Sequence, residues 1–540
     1  MPTLQFKGKT FVQNHHLMVK HHELVPVPEK SLTENVRLDD NLIIHGDNLL
    51  ALKALLPMYA GKVKLIYIDP PYNTGKEHWV YNDNVNSPMI REWLGKVVDK
   101  EDLTRHDKWL CMMMPRLKLL RELLTDDGSI FVSCDDNEQA HLRMLMDEIF
   151  GGDNFVTTVI WQKVYSPKNS ARHFSEDHDY IVVYAKNGDV WTPNSLSRSE
   201  KQNKRYKNPD NDPRGPWKHG DSSARNYYSK GTYAITCPGG RVIPGPPTGR
   251  YWVYSEDKLW ELHADNRLWW GSDGNGIPAV KQFLAEVSEG VVPQTLWFYK
   301  DVGHTQDAKK ELLSILNFDK SEDVFTTPKP TALIERILDI ATETESIVLD
   351  SFAGSGTTGH AVLAKNAADG GDRKFIMVEL EDYADSMTAE RVRRVIRGGP
   401  AAKDGDLRAG LGGTFSFFEL GHAIEPEGLL TGEFLPPYDE LARYVFYTAT
   451  GEEFQPEAVD EARSFIGTSK GYEVYLIYKP DIKTLKSLAL NLEFAESLGK
   501  PQTEKRRLVF APARYLDDKY MEQYRIEYAQ LPYELYRTRV

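Results

Sequence analysis

Cysteine is scarce: Cys111, Cys134 and Cys237 are the three in 540 residues, and no two stand at C-x-x-C spacing. That argues against a disulfide framework or a zinc site, and it fits a reducing cytoplasm. Long apolar runs are missing too. No stretch approaches the ~18 residues of a membrane span, and no apolar block follows the basic residues near the start, so neither an anchor nor a signal peptide is predicted. Positive charge is in deficit, with 66 Lys and Arg against 79 Asp and Glu and a formal net charge of −13. A uniformly basic polyanion binder is thereby excluded, but a local basic cleft is not. A nucleotide phosphate loop is also lacking, because the glycine-rich turn at 354–359 is followed by His360 rather than lysine. The length allows two to four domains with a sizeable core.

Two stretches stand out from this background. Residues 65–75, LIYIDPPYNTG, read as a buried parallel strand stopped by Pro70 and Pro71, neither of which can donate to a ladder. Asp69 and Tyr72 then sit just past the strand's carboxyl end, where open α/β sheets place their ligands. Asp69 and the Pro70 carbonyl can accept hydrogen bonds from an amino group, and Tyr72 can stack on the flat ring that carries it. Residues 346–363, SIVLDSFAGSGTTGHAVL, are a second strand ending in an acid, Asp350, then a turn and a helix start. Gly354 and Gly356 permit a tight turn and close approach to a ligand, and Thr357 and Thr358 can cap the helix. Further on, RKFIMVELEDY is a strand ending in Glu379, whose carboxylate is placed to bind two ribose hydroxyls by the geometry of dinucleotide folds.

The Asp69–Tyr72 tetrapeptide resembles the DPPY motif of the amino-methyltransferases, and FAGSGTT, 352–358, resembles their S-adenosylmethionine-binding loop. The catalytic motif comes about 280 residues before the cofactor motif. This circularly permuted order is similar to the β group, and within it to the modification subunits of Type III restriction–modification systems, from about Asn41 to about Arg397. The resemblance implies a doubly wound, Rossmann-like α/β sheet and transfer of a methyl group to the N6 amine of a flipped-out adenine in double-stranded DNA. Adenine is implied over cytosine because Asp, not Ser, begins the tetrapeptide. Asp69, Pro70, Pro71 and Tyr72 would be catalytic. Phe352, Ala353, Gly354, Gly356, Thr357, Asp350 and Glu379 would hold the cofactor. Lys329, in a KP segment, would lie beside its methionine end. Asp47 would accept from its adenine amine, or serve only as a helix cap. No metal is implied. A restriction subunit is the implied partner, with a solitary methyltransferase or a mainly DNA-recognising subunit as alternatives.

Along the chain, 1–40 reads as a solvated N-terminal arm despite the pairs His15, His16 and His21, His22. Residues 41–189 read as the catalytic half, with strand–helix alternation, a polar loop at 76–108 carrying Trp79 and Tyr81, and a helix at 109–125. In GSIFVSCDDNE, 128–138, the acids Asp135, Asp136 and Glu138 can orient cofactor or base, but capping of the next helix is the favoured expectation. Residues 190–324 lose the alternation. Between 198 and 230, Arg198, Lys201, Lys204, Arg205, Lys207, Arg214, Lys218, Arg225 and Lys230 face only Glu200, Asp210, Asp212 and Asp221. With Tyr206, Trp217, Tyr227 and Tyr228 interleaved, this suits phosphate contact and base stacking, and the insert is expected to recognise the target. Residues 325–397 are the cofactor half, 398–413 a linker, and 414–540 a small α+β domain expected to make subunit contacts, a homodimer first among them. That tail is expected to hold helices at 439–450 and 482–499 and strands at 471–479 and 506–512.

Overall fold

The computed structural model describes residues 3–74, 105–198, 203–287, 290–316, 327–399 and 405–535. Trp79, Tyr81, Glu200 and Lys201 lie outside them. The chain divides into two compact units, 1–194 with 294–540, and 195–293.

The first unit is built on ten strands. In chain order they are β1 (His22–Pro26), β2 (Leu42–His45), β3 (Val63–Ile68), β4 (Leu124–Cys134), β5 (Phe155–Gln162), β6 (His178–Ala185), β7 (Leu296–Trp297), β8 (Ile347–Asp350), β9 (Lys374–Glu379) and β10 (Ser416–Ala423). They lie in the order β1-β10-β2-β9-β8-β3-β4-β6-β5-β7. From β10 to β4 all neighbours are parallel, while β6 runs antiparallel to both β4 and β5. Among the helices between them are α1 (Asn48–Tyr59), α2 (Arg105–Leu123), α3 (Gln139–Phe150), α4 (Thr331–Ala341), α5 (Thr357–Asp369) and α6 (Glu390–Arg397). β2, β3, β8 and β9 are nearly continuous apolar runs with most of their side chains buried, as strands covered by helices on both faces must be. This is the doubly wound α/β architecture predicted, and its permutation is visible in the pairing. Leu65 and Ile66 of β3 pair with Val348 and Leu349 of β8, so the two halves meet along one strand pair.

Several expectations fail at the edges. Residues 1–40 are not a solvated arm. β1 pairs antiparallel with β10, His15, His16 and His21 are buried, and the His21 ring stacks on Tyr444 at 4.6 Å. Burial lowers His21 to about 3, which keeps the packed ring neutral. The described part of 398–413 is packed, not a free linker: a Cβ on Gly398 (φ +79°) would strike the Arg408 carbonyl oxygen. A boundary at 413 also fails, because β10 belongs to the main sheet. Beyond it, helix Tyr438–Thr450 covers a four-stranded sheet, Phe465–Thr468, Tyr472–Leu476, Arg506–Ala511 and Ile526–Gln530. The expected long helix at 482–499 is instead two short ones, Ile482–Leu485 and Leu492–Ser497, the second capped by Asn491.

The second unit, shorter than the insert expected at 190–324, packs short strands and helix Glu256–Ala264 around Ile235, Trp252, Leu259, Leu268 and Trp270. Tyr206 and Trp217 are buried in it and cannot stack on bases, whereas Tyr227 is 76% exposed. Arg214 is used internally, on Asp212 at 2.9 Å, and Lys281 is buried against Asp210 and Asp212. Arg205, Lys207, Arg225 and Lys230 are exposed. Among the described residues no helix is long and apolar enough to cross a membrane.

Candidate active site

Two turns from distant parts of the chain meet at the carboxyl ends of β3 and β8. The first is Asp69-Pro70-Pro71-Tyr72. It is held from behind: the buried indole N–H of Trp109 on α2 donates to the Pro71 carbonyl at 2.7 Å. On its far side Asn73 takes a left-handed φ of +57° and its buried side-chain amide donates to Glu138. The turn is thus fixed without using Asp69 or Tyr72. Asp69 Oδ1 and the Tyr72 hydroxyl, both buried, find no hydrogen-bond partner among the described residues. Burial first and the neighbouring Asp69 charge second push the Tyr72 hydroxyl far above its ordinary pKa, although the two groups are not in hydrogen-bond alignment. The other Asp69 oxygen pairs with the Lys329 ammonium, which lies 5.2 Å from the centroid of the Tyr72 ring.

The second turn, Asp350 to Thr357, leads from β8 into α5. Asp350 braces it from within, accepting from the Phe352 amide at 3.0 Å and the Thr358 hydroxyl at 2.5 Å, and burial raises its carboxyl to about 7. Gly356 is the helix N-cap at φ +77°, and any Cβ there would meet the Thr388 carbonyl oxygen at 2.8 Å. The expected threonine caps are therefore wrong: the Thr358 hydroxyl goes to Asp350, and that of Thr357 to the Lys329 carbonyl at 3.3 Å. A π-helical turn, Ala384–Ala389, supplies Thr388, whose hydroxyl donates to the Gly354 carbonyl at 2.6 Å. Such turns are rare and often found at functional sites. Under the loop, the fully buried Arg391 of α6 donates to Thr357 at 2.8 Å, Ser355 at 3.3 Å and Thr331 at 3.1 Å, and pairs with Glu311 at 3.3 Å.

Between the turns lies a cleft of about 590 Å³, within the ~300–1,000 Å³ usual for ligand sites. Asp69, Pro70, Pro71, Tyr72, Lys329, Phe352, Gly354 and Glu379 all line it. Ala353, Gly356, Thr357 and Asp350 shape the turn from which Phe352 and Gly354 project. Glu379, at the end of β9, accepts from the Gly354 amide at 2.7 Å and the Glu381 amide at 3.0 Å, and burial raises it to about 7. Asp47 does not line the cleft. It caps α1 through the Leu49 amide at 2.7 Å and accepts from Arg116 at 3.2 Å, so only the cap reading fits its position.

A second ion pair in the cleft, Lys163–Asp179 at 2.5 Å, was not anticipated from the sequence. Burial raises Asp179, opposed by Lys329 and Lys163. A lone acid opening the apolar run YIVVYA of β6 was the available signal. Glu138 was also misread, since its side chain makes no cap bond and instead meets Asn73, His106 and His141.

Lys329 offsets Asp69 and Lys163 offsets Asp179, so the acids left over, Asp135, Glu379 and Glu381, make the rim net acidic, which favours a ligand with positive charge. The glycine turn gives such a ligand close backbone approach, and Glu379 gives it a carboxylate for paired hydroxyls. These features fit S-adenosylmethionine, which combines a ribose with a sulfonium.

The family described as DNA methylase (N6_N4_Mtase) matches residues 63–390. The chain is 36% identical over 434 residues to the Type III restriction-modification enzyme StyLTI Mod subunit of Salmonella typhimurium, covering 75% of this chain and 65% of that one. It is 30% identical over 449 residues to the EcoPI Mod subunit of Escherichia phage P1, covering 74% and 68%. To the Type II methyltransferase M.KpnI of Klebsiella pneumoniae it is 32% identical over 360 residues, covering 62% and 79%. The match with the StyLTI subunit thus spans 65% of that relative's length. With two motif turns joined in one cleft and the family match running across both, the chain belongs to the DNA methylase family.

Proposed function

We propose that the chain is a site-specific DNA methyltransferase acting on the N6 amine of adenine in double-stranded DNA, with S-adenosylmethionine as donor, and the modification subunit of a Type III restriction–modification system. The observation that carries this reading is the adjacency of the Asp69–Tyr72 and Gly354–Thr357 turns over β3 and β8.

Bound S-adenosylmethionine supplies an electrophilic methyl group on a sulfonium, with a neutral thioether as leaving group. The protein's task is then positioning and charge stabilisation. Flipping the base costs a few kcal/mol, and stacking on Tyr72 returns roughly 1–3 kcal/mol. Asp69 and the Pro70 carbonyl receive the amine's hydrogens and aim its lone pair along the cleft. The Lys329 ammonium on Asp69 marks where a hydrogen-bond-donating nitrogen sits, so the entering amine displaces it. Asp69 then stabilises the positive charge that grows on that nitrogen. The unit at 195–293 would read the target, with exposed Arg205, Lys207, Arg225 and Lys230 on phosphates and Tyr227 available for stacking. A restriction subunit and a second copy of the chain are the proposed partners, in the cytoplasm. The similarity to M.KpnI, a Type II methyltransferase matched over 79% of its length, supports a methyltransferase outside a Type III system as second reading.

The test is incubation with labelled donor and unmethylated genomic DNA, followed by sequencing of modified bases. N6-methyladenine at one short motif is the expected product. N4-methylcytosine would overturn the base assignment, and label in RNA alone would overturn the substrate.

Affinity for the donor should also depend on pH. Glu379 can accept from two hydroxyls only when ionised, and burial holds it at about 7. Affinity therefore rises as pH climbs through 7, and falls up to about tenfold per unit below it. Stability of the ligand-free protein moves the other way. Between the ordinary carboxylate value and 7, the unfolded chain has lost the proton that the folded one keeps, so stability falls as pH rises. Calorimetric titrations from pH 6 to 8 check the affinity. A pH-independent constant, or the same slope in Glu379→Gln, would remove Glu379 from this role.

A further inference from the structure

Behind the catalytic turn, three side chains that do not line the methyl-transfer cleft bring their donor atoms close together, with the His106 and His141 rings stacked at 4.5 Å. His106 stands in the first turn of α2. Glu138 precedes α3, and His141 lies on its first turn. His106 Nδ1 is 2.8 Å from Glu138 Oε1, His141 Nδ1 is 3.1 Å from Oε2, and the three ligand atoms all lie within 4.8 Å of one another. Glu138 is wholly buried.

Hydrogen bonding accounts for only part of this arrangement. Oε1 accepts from the Asn73 amide and meets His106. Oε2 and His141 Nδ1, although close, are out of hydrogen-bond alignment, and neither has another partner among the described residues. A buried carboxylate oxygen left unpaired is costly. Two lone-pair donors held face to face in this way would be relieved by a cation shared between them.

We propose that His106, Glu138 and His141 form a binding site for a divalent first-row transition cation, zinc foremost. Two imidazoles and one carboxylate are a common zinc donor set, and three protein ligands leave a fourth position open. Imidazole donors count against magnesium and calcium, which favour oxygen. The open side has room for a water, because the two histidines border a polar cleft of about 380 Å³ that Asp135, Asp136 and His178 also line. Arg105 and Lys163 border the same cleft and keep its net charge low, so the affinity comes from the three ligands rather than from a general excess of acid.

The cation would tie the first turn of α2 to the turn before α3, and through Asn73 it would fix the backbone beside Tyr72. Its role is to position, and it does not depend on which base is methylated. His106 lies far along the chain from the Glu138-x-x-His141 pair, so no compact metal motif announces the site.

The test uses the full chain, freed of metal by chelation and titrated with Zn²⁺ against a chromophoric chelator, with Co²⁺ absorption as a spectroscopic check. One equivalent per chain is expected, with a rise in Tm on loading and visible Co²⁺ bands of a low-symmetry site. His141→Asn, whose side chain is partly exposed, and Glu138→Gln should each weaken Zn²⁺ binding at least tenfold and abolish the Tm rise. If Glu138→Gln fails to fold, the His141→Asn titration decides alone. Equal Zn²⁺ affinity in the wild type and His141→Asn, or no stoichiometric binding in the wild type, would overturn the proposal and leave the triad a hydrogen-bonded brace.

Discussion

Asp69→Ala is expected to lower the rate of methyl transfer at saturating donor by about 10²–10³-fold, the usual loss when a preorganised charge-stabilising group is removed. The reason lies in how the turn is held. Trp109 and Asn73 fix its backbone, so loss of the Asp69 carboxylate removes an acceptor and a negative charge without unfolding the turn. Asp69→Asn keeps an acceptor oxygen but not the charge, and should fall between wild type and alanine. Donor affinity should change little in either variant, because Glu379 and the glycine turn make those contacts. Single-turnover rates and donor titrations separate the two effects. An Asp69→Ala enzyme with a near-normal single-turnover rate would remove Asp69 from the chemistry. Since truncation leaves the Lys329 ammonium, 10% exposed, without its partner, Tm should be measured alongside.

Arg391→Ala should be the most damaging single change to stability near the site, at about 3 kcal/mol or more, because it breaks a buried ion pair and its attendant hydrogen bonds. Arg391 is wholly enclosed, and its two terminal nitrogens reach Ser355, Thr357, Thr331 and Glu311. Glu311 keeps some access to solvent, which places the loss toward the lower end of such cases. Lysine should not rescue it, since a point charge cannot serve both sides as the planar fork does. Methionine, which fills the space without charge, should recover more stability than donor affinity, because the loop hydroxyls would still lack their anchor. Denaturant unfolding with donor titration checks this, and an Arg391→Lys protein of wild-type stability would contradict it.

The two motif turns were legible because each is a short local pattern: prolines that must end a strand, and glycines that permit a tight turn, among them Gly356, where a Cβ would meet a carbonyl oxygen. Glu379 was legible for the same reason, as an acid ending a strand after such a turn. Lys163, Asp179 and Arg391 were not, because their roles depend on which elements the sheet brings together, and single charges beside apolar runs have many other uses. The histidines of the first forty residues looked solvated because short polar segments carry little periodicity; what buries them is tertiary, His15 and His16 on the short helix His15–Met18 packed against α2, and His21 stacked on Tyr444. Tyr206 and Trp217 misled in the opposite direction. Aromatics among basic residues suggest a binding face, but in a small unit of short strands the same rings are needed for the core.

The pairing of β3 with β8 also bears on synthesis. A ribosome adding about 5–20 residues per second would make β3 some tens of seconds before β8, which lies about 280 residues later. During that interval the apolar edge of β3 lacks its neighbour in the middle of the sheet, with backbone donors and acceptors open to other strands. The nascent protein would therefore depend on chaperones to guard an interior edge, and truncated chains ending before β8 should aggregate rather than accumulate as a folded half-domain.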